Sequence, residues 1–202
     1  MNRILPLSLV LILSACASTP PIPERTPEEQ EQAWQQHRQA VASIGVWSLT
    51  GRIAVNTEDE GWNGELYWNQ TSGAYRIQFS APFGQGAFQL DGGSQGVEMR
   101  FSDGQVFQAE DAETLLLQHL GWRLPLSGFR YWVTGLPEPQ SASDRKLDGA
   151  GRLASLTQQQ WKVSYPDYFL VGDIMMPRKV LLHNHDLSVR LVVDRWDLKG
   201  GA

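Results

Sequence analysis

Four stretches of the sequence combine residue types and spacings that could do chemistry. Leu13-Ser14-Ala15-Cys16 matches the bacterial lipobox, where small residues admit a processing peptidase to the backbone and the cysteine thiol receives a lipid before cleavage. Gly92-Gly93-Ser94-Gln95-Gly96 satisfies the G-x-S-x-G pattern of a serine-hydrolase elbow, which requires a strand, a sharp turn and then a helix. The text that follows, "VEMRFS", reads as a strand, so a glycine-rich hairpin turn accounts for these residues. His183-Asn184-His185-Asp186 could offer metal ligands, but it lacks a third ligand nearby and lies between two strand-like runs, which reads as a polar hairpin tip. Glu110, Asp111 and Glu113 suit the N-terminus of a helix better than an acid/base pair. Cys16 is the only cysteine, so no disulfide forms within the chain and no thiol remains for catalysis or metal binding once it is acylated. With no phosphate-binding glycine loop either, the expectation is a protein that is not an enzyme and uses no metal or cofactor.

The elements around these residues begin at the N-terminus. Arg3 supplies a positive charge, residues 4–13 are apolar, and that run is too short to span a bilayer. Residues 1–15 are therefore expected to be a lipoprotein signal peptide. Residues 16–25 form the lipidated Cys16 and a tether stiffened by Pro20, Pro21 and Pro23, and residues 26–202 form one domain. At roughly 0.8 kcal/mol per buried CH₂, anchoring by three acyl chains is effectively permanent. Ala17 and Ser18 follow the cysteine with no aspartate beside it, which by the sorting of bacterial lipoproteins implies delivery to the outer membrane, facing the periplasm. The body of roughly 175 residues is ample for a single core. The full chain has a formal charge of −5, no basic cluster stands out, and nucleic acid is excluded as a partner.

Thr26, Pro27 and Glu29 make a capping box for a helix whose apolar stripe runs Ala33, Trp34, His37, Val41 and Ile44 and which Gly45 should end. His37 reads as packed, not as a ligand. The period then changes to two, and about eleven short antiparallel strands follow, the first six as a meander. Helical text from Asp111 to Gly121, with Leu115, Leu116 and Leu120, and from Ser127 to Gly135, with Trp132, interrupts them as a plug or lid. The fold class is mainly β with helices (α+β): a strongly curved sheet with helices on its concave side. Strand parity places Trp47, Leu49, Ile53, Val55, Leu66, Trp68, Tyr75, Ile77, Phe79, Phe88 and Leu90 on the inward face. Gly51 and Gly64 on that face would leave room for an apolar ligand. The helices could equally fill that space as ordinary core, and the pattern leaves both open. Pro82, Phe83 and Gly84 make a turn that puts a large ring at a loop tip.

Taken together, the lipobox, "WSLTGRIAV", "ELYWNQTSGAYRIQFSAPFG" and "DAETLLLQHLGWRLPLSGFRYWVTGLP" resemble the LolB family of outer-membrane lipoprotein receptors across most of the mature chain. The resemblance implies an unclosed antiparallel β-barrel with a helical plug or lid, an acyl-binding domain that takes lipoproteins from a LolA-like periplasmic carrier and holds their acyl chains. It then passes them to outer-membrane phospholipid, acting as a monomer. Phe83 stands where the best-known members have an exposed leucine, and the implied role of Pro82, Phe83 and Gly84 is a membrane-insertion loop. Two other readings compete with this one: a lipoprotein that binds a small hydrophobic ligand or serves as an envelope scaffold, and a lipid hydrolase using Ser94.

Overall fold

The structure is a computed structural model that describes residues 25–82 and 86–199. Cys16, the signal and tether, and the loop residues Phe83 and Gly84 lie outside the described residues. The chain opens with helix α1, Pro27–Ala42, whose Thr26 cap accepts from Glu29 N at 3.3 Å while the Glu29 carboxylate accepts from Thr26 N at 2.8 Å. That reciprocal pair satisfies two of the backbone donors orphaned at a helix start. The helix stops at Ala42, with Ser43 as its cap, and so ends short of Gly45.

Helix α1 turns Trp34 and Val41 into the core, Val41 on the side of Trp47 and Tyr131, and is held through a few specific contacts. Arg145 donates to both carboxylate oxygens of Glu31 at 2.8 Å and stacks its guanidinium over the buried Trp34 ring. The hydrogen bond from Gln35, with Arg145 adding to it, holds the Glu31 carboxyl below its ordinary pKa. Gly151 sits under the helix at φ +79°, where a Cβ would come within 2.6 Å of the Gln30 carbonyl. His37 packs against Trp34, and its Nε2 is buried without a partner among the described residues. Burial of the ring, with Arg152 adding to it and Asp148 opposing, holds its pKa below the usual 6.5. The unfolded chain then binds more protons, so stability from neutral His37 is complete above about pH 6.5 and declines as the pH falls below it. His37→Phe is expected to flatten the dependence of urea stability on pH between about 5 and 7; an unchanged slope would remove His37 from this account.

Eleven antiparallel strands follow: β1 Val46–Asn56, β2 Gly61–Gln70, β3 Tyr75–Ser80, β4 Ala87–Gly93, β5 Gly96–Phe101, β6 Val106–Ala109, β7 Ser143–Leu147, β8 Leu153–Gln158, β9 Trp161–Val171, β10 Ile174–His183 and β11 Ser188–Lys199. They form one sheet in the order β6-β5-β4-β3-β2-β1-β11-β10-β9-β8-β7. Strands β6 and β7 are its two edges and do not pair, so the barrel is open. Strands β9 and β10 run longer than their alternation suggests. Pro166 and Pro177 read as breakers, yet β9 and β10 absorb them where their register shifts, between Pro177 and Leu181.

The two inward glycines do not leave space. A Cβ on Gly51 would lie 2.3 Å from the Val192 carbonyl oxygen, because the β1–β11 register shifts between Thr50 and Gly51 and presses the backbones together. A Cβ on Gly64 would lie 2.4 Å from the Ser80 carbonyl oxygen and 2.9 Å from the Phe79 ring. Both glycines admit neighbouring protein, not ligand. Gly51→Ala is expected to cost about 2–3 kcal/mol of stability, which is a fall in melting temperature of about 5–10 °C for a domain of this size.

Between β6 and β7 lie helix α2, Ala112–Leu120, and helix α3, Leu126–Trp132. Asp111 caps α2 by accepting from Thr114 N at 2.7 Å. Gly121 ends it at φ +71°, sending the chain across the concave face of the sheet. The Glu113 carboxylate accepts from Ser127 N at 3.0 Å, which ties the start of α3 to α2.

Candidate functional site

The concave face of the sheet is apolar, and the two helices close it. Ile53, Leu66, Trp68, Ile77, Phe79, Phe88 and Leu90 supply the sheet side of a small cavity. Leu116, Trp122, Leu124, Leu126 and Phe129 supply the helical side. Its volume is about 30 Å³, room for one water, whereas ligand pockets for drug-sized molecules run to roughly 300–1,000 Å³. The helices therefore fill the space in this closed form, and a chain-like ligand needs the helical side to move away.

The remaining inward residues of the sheet are packed elsewhere. Trp47 is buried between Trp68 and Trp196, at ring separations of 5.2 Å and 5.3 Å. Leu49 and Val55 are buried in the core without bordering the cavity. Tyr75 is half-buried at the rim with its ring over Gly92, where a Cβ would overlap the ring at 2.1 Å. Burial, with Glu113 and Asp111 nearby, raises its pKa above the ordinary tyrosine value. The bare Gly92 of the G-x-S-x-G stretch thus serves packing, and Ser94 lies in the turn between β4 and β5, with strand on both sides. At the other motif, the Asn184 side chain accepts from Asp186 N and Leu187 N, and His185 is exposed at a hairpin tip.

Among the helical residues, Leu115, Leu116 and Leu120 are buried, and of these Leu116 borders the cavity. Trp132 is wholly buried at the far end of α3, where it anchors the helix. Its Nε1 donates to Gln158 Oε1 at 2.8 Å, and its carbonyl accepts from the Tyr165 hydroxyl at 2.9 Å. Gln158 also accepts from Glu138 N and donates to the carbonyls of Glu138 and Ser141. The linker over the cavity is held differently: among the described residues, Arg123 and Leu124 make no hydrogen bond to the sheet, Arg123 is exposed, and apolar contact holds Leu124 down. One end of the helical cover is thus bonded and the other only packed.

Sequence reasoning missed Trp122, Leu124, Leu126 and Phe129. The available signal was a tryptophan and a leucine among the four residues between the glycine that ends α2 and the start of α3. Such residues have no reason to sit in a solvated loop.

The chain is thus an open antiparallel sheet curved around an apolar face and covered by helices from the connection between its edges. The solved structure of a LolA superfamily protein from Nitrosomonas europaea has this fold, with a TM-score of 0.50 at 8% identity, over 88% of this chain and 96% of that one. The family model for the outer membrane lipoprotein LolB matches residues 45–196, and the chain belongs to the LolB family. The outer-membrane lipoprotein LolB of Nitrosococcus oceani is 37% identical over 193 residues, covering 95% of this chain and 94% of that protein. That of Pseudomonas savastanoi pv. phaseolicola is 34% identical, covering 97% and 96%. No helix among the described residues is long and apolar enough to cross a membrane.

Proposed function

We propose that this outer-membrane lipoprotein is a receptor. It accepts lipoproteins from a LolA-like periplasmic carrier, holds their acyl chains against the concave sheet face, and inserts them into the inner leaflet of the outer membrane. The observation that carries this reading is the wholly apolar lining of the cavity, whose helical side is fixed at Trp132 and only packed at Trp122 and Leu124. Apolar contact is non-directional, so an acyl chain can replace Leu124 on the sheet at little net cost, while Trp122 stays tied to the end of α2. A hydrogen-bonded cover could not be exchanged so readily. In the same reading residues 1–15 are the signal, Cys16 carries the anchor, residues 16–25 are the tether, and transfer runs downhill from carrier to receptor to bilayer.

The test mixes a form beginning at Ala17 with purified carrier loaded with a lipoprotein and asks by pull-down which protein holds the passenger at equilibrium. Passage to this domain is the expected result. Retention by the carrier, with the domain shown to be folded, would sink the receptor reading and favour a small hydrophobic ligand.

A further inference from the structure

Two indole N–H groups on neighbouring rings have no acceptor, and one of them belongs to Trp122, which borders the cavity. Nε1 of Trp122 and Nε1 of Trp62 are both buried and unpartnered among the described residues. Other buried indoles in the core are satisfied: Trp68 donates to Gln70, Trp132 to Gln158 and Trp196 to the Pro177 carbonyl. A buried donor without an acceptor is costly and uncommon, and two in contact are more so.

The backbone holds Trp122 in this place. The left-handed Gly121 turns the chain, and Trp122 N donates to the Leu116 carbonyl at 3.1 Å, closing the end of α2. The ring, 3% exposed, then meets Trp62, Phe79 and Phe88 edge-on at centroid distances of 5.8, 6.2 and 6.0 Å. These surroundings supply apolar surface and donors but no acceptor. The complementary ligand has long alkyl chains and oxygens that only accept, which is the make-up of a fatty-acyl ester of glycerol.

We propose that Trp122, with Trp62 beside it, donates its indole N–H to an acyl ester carbonyl of the glycerol lipid that enters the cavity. This rests on the receptor reading and adds which bond of the ligand is gripped. Alkyl chains run along the sheet, and the ester end stops at the indole pair.

The test anchors the full mature chain in nanodiscs of ether-linked phospholipid, so that the acyl esters present before peptide is added are those of its own Cys16 anchor, and labels the indole nitrogens with ¹⁵N. Two lipopeptides of equal chain length are added, one with ester-linked and one with ether-linked glycerol on its cysteine. The expected result is a shift of the Trp122 Nε1–H resonance with the ester probe only, and about tenfold tighter binding of that probe. Trp122→Phe, which keeps a ring in place, should bind both probes equally and fold at least as stably, since it removes an unpaired donor. A shift in ester-linked nanodiscs without peptide would also support the donor and name bilayer lipid as a source of the carbonyl. Equal affinity of the two probes in the unmutated chain would overturn the donor role and leave the receptor reading standing. Binding of neither probe would overturn both.

Discussion

Gln158→Leu is expected to cost the domain about 4 kcal/mol, the largest loss among the single substitutions considered. Leucine nearly fills the volume, so the loss comes from hydrogen bonding. Gln158 is 1% exposed and makes four bonds with Trp132, Glu138 and Ser141, between 2.8 and 2.9 Å. Removing it leaves two donors and two acceptors unpaired, the Trp132 N–H in the core and the groups of Glu138 and Ser141 part-buried at its margin. Unsatisfied buried groups cost roughly 1–3 kcal/mol each, and partial relaxation keeps the sum below their total. Trp132→Phe removes one donor while Gln158 still accepts from Glu138 N, so it should cost only about 1 kcal/mol. Urea unfolding of the two variants beside the parent checks the contrast. A loss for Gln158→Leu no greater than for Trp132→Phe would mean that the network does not anchor α3.

Phe83→Glu is expected to leave acceptance of a passenger intact and to slow its insertion into liposomes by about 10- to 100-fold. Burying a phenylalanine side chain is worth roughly 1.5–3 kcal/mol, which corresponds to that range of rates. Ala81 N donates to the Gly86 carbonyl at 2.8 Å, closing the base of the loop that carries Phe83, and Pro82 is exposed beside it. The loop leaves the same end of the sheet as the β1–β2 turn, next to Trp62 and so close to the indole pair. In the insertion role expected of this loop an apolar side chain would enter the membrane interface, whereas a carboxylate would resist it. Phe83→Leu should retain most of the activity. Insertion by Phe83→Glu at the parent rate would remove the loop from the release step.

Much of the fold was legible because local chemistry and tertiary structure agree. The capping box at Thr26 and Glu29 marks the start of α1, and the strict alternation from Trp47 to Val55 marks a strand with one buried face. The inward residues from Leu66 to Leu90 follow the same rule, and the sheet side of the cavity could be written from parity alone. The rest depends on backbones that meet only in three dimensions. Gly51 and Gly64 look like vacancies in sequence, but the facing strand or ring occupies each. Pro166 and Pro177 look like strand ends because the register shift that tolerates them belongs to a pair of strands, not to either one. Whether helices or ligand fill the concave face is a matter of packing, which period and propensity do not encode. Trp122 was hidden for the same reason: its segment has no period, and its role is set by where the sheet lies beneath it.

The strand order also governs how the chain comes to be folded. Strand β1 finds β2 within a few residues, but its other neighbour is β11, paired from Val46 with Lys199 to Asn56 with Ser188. The first strand synthesised is therefore completed by the last. Until β11 arrives, the six-stranded N-terminal half carries a long unpaired edge, a feature that invites aggregation. A pairing so distant along the chain also makes for slow folding. Joining the two halves is then the closing act of maturation, and a truncation that removes β11 alone would strip the central seam of the sheet, not its margin.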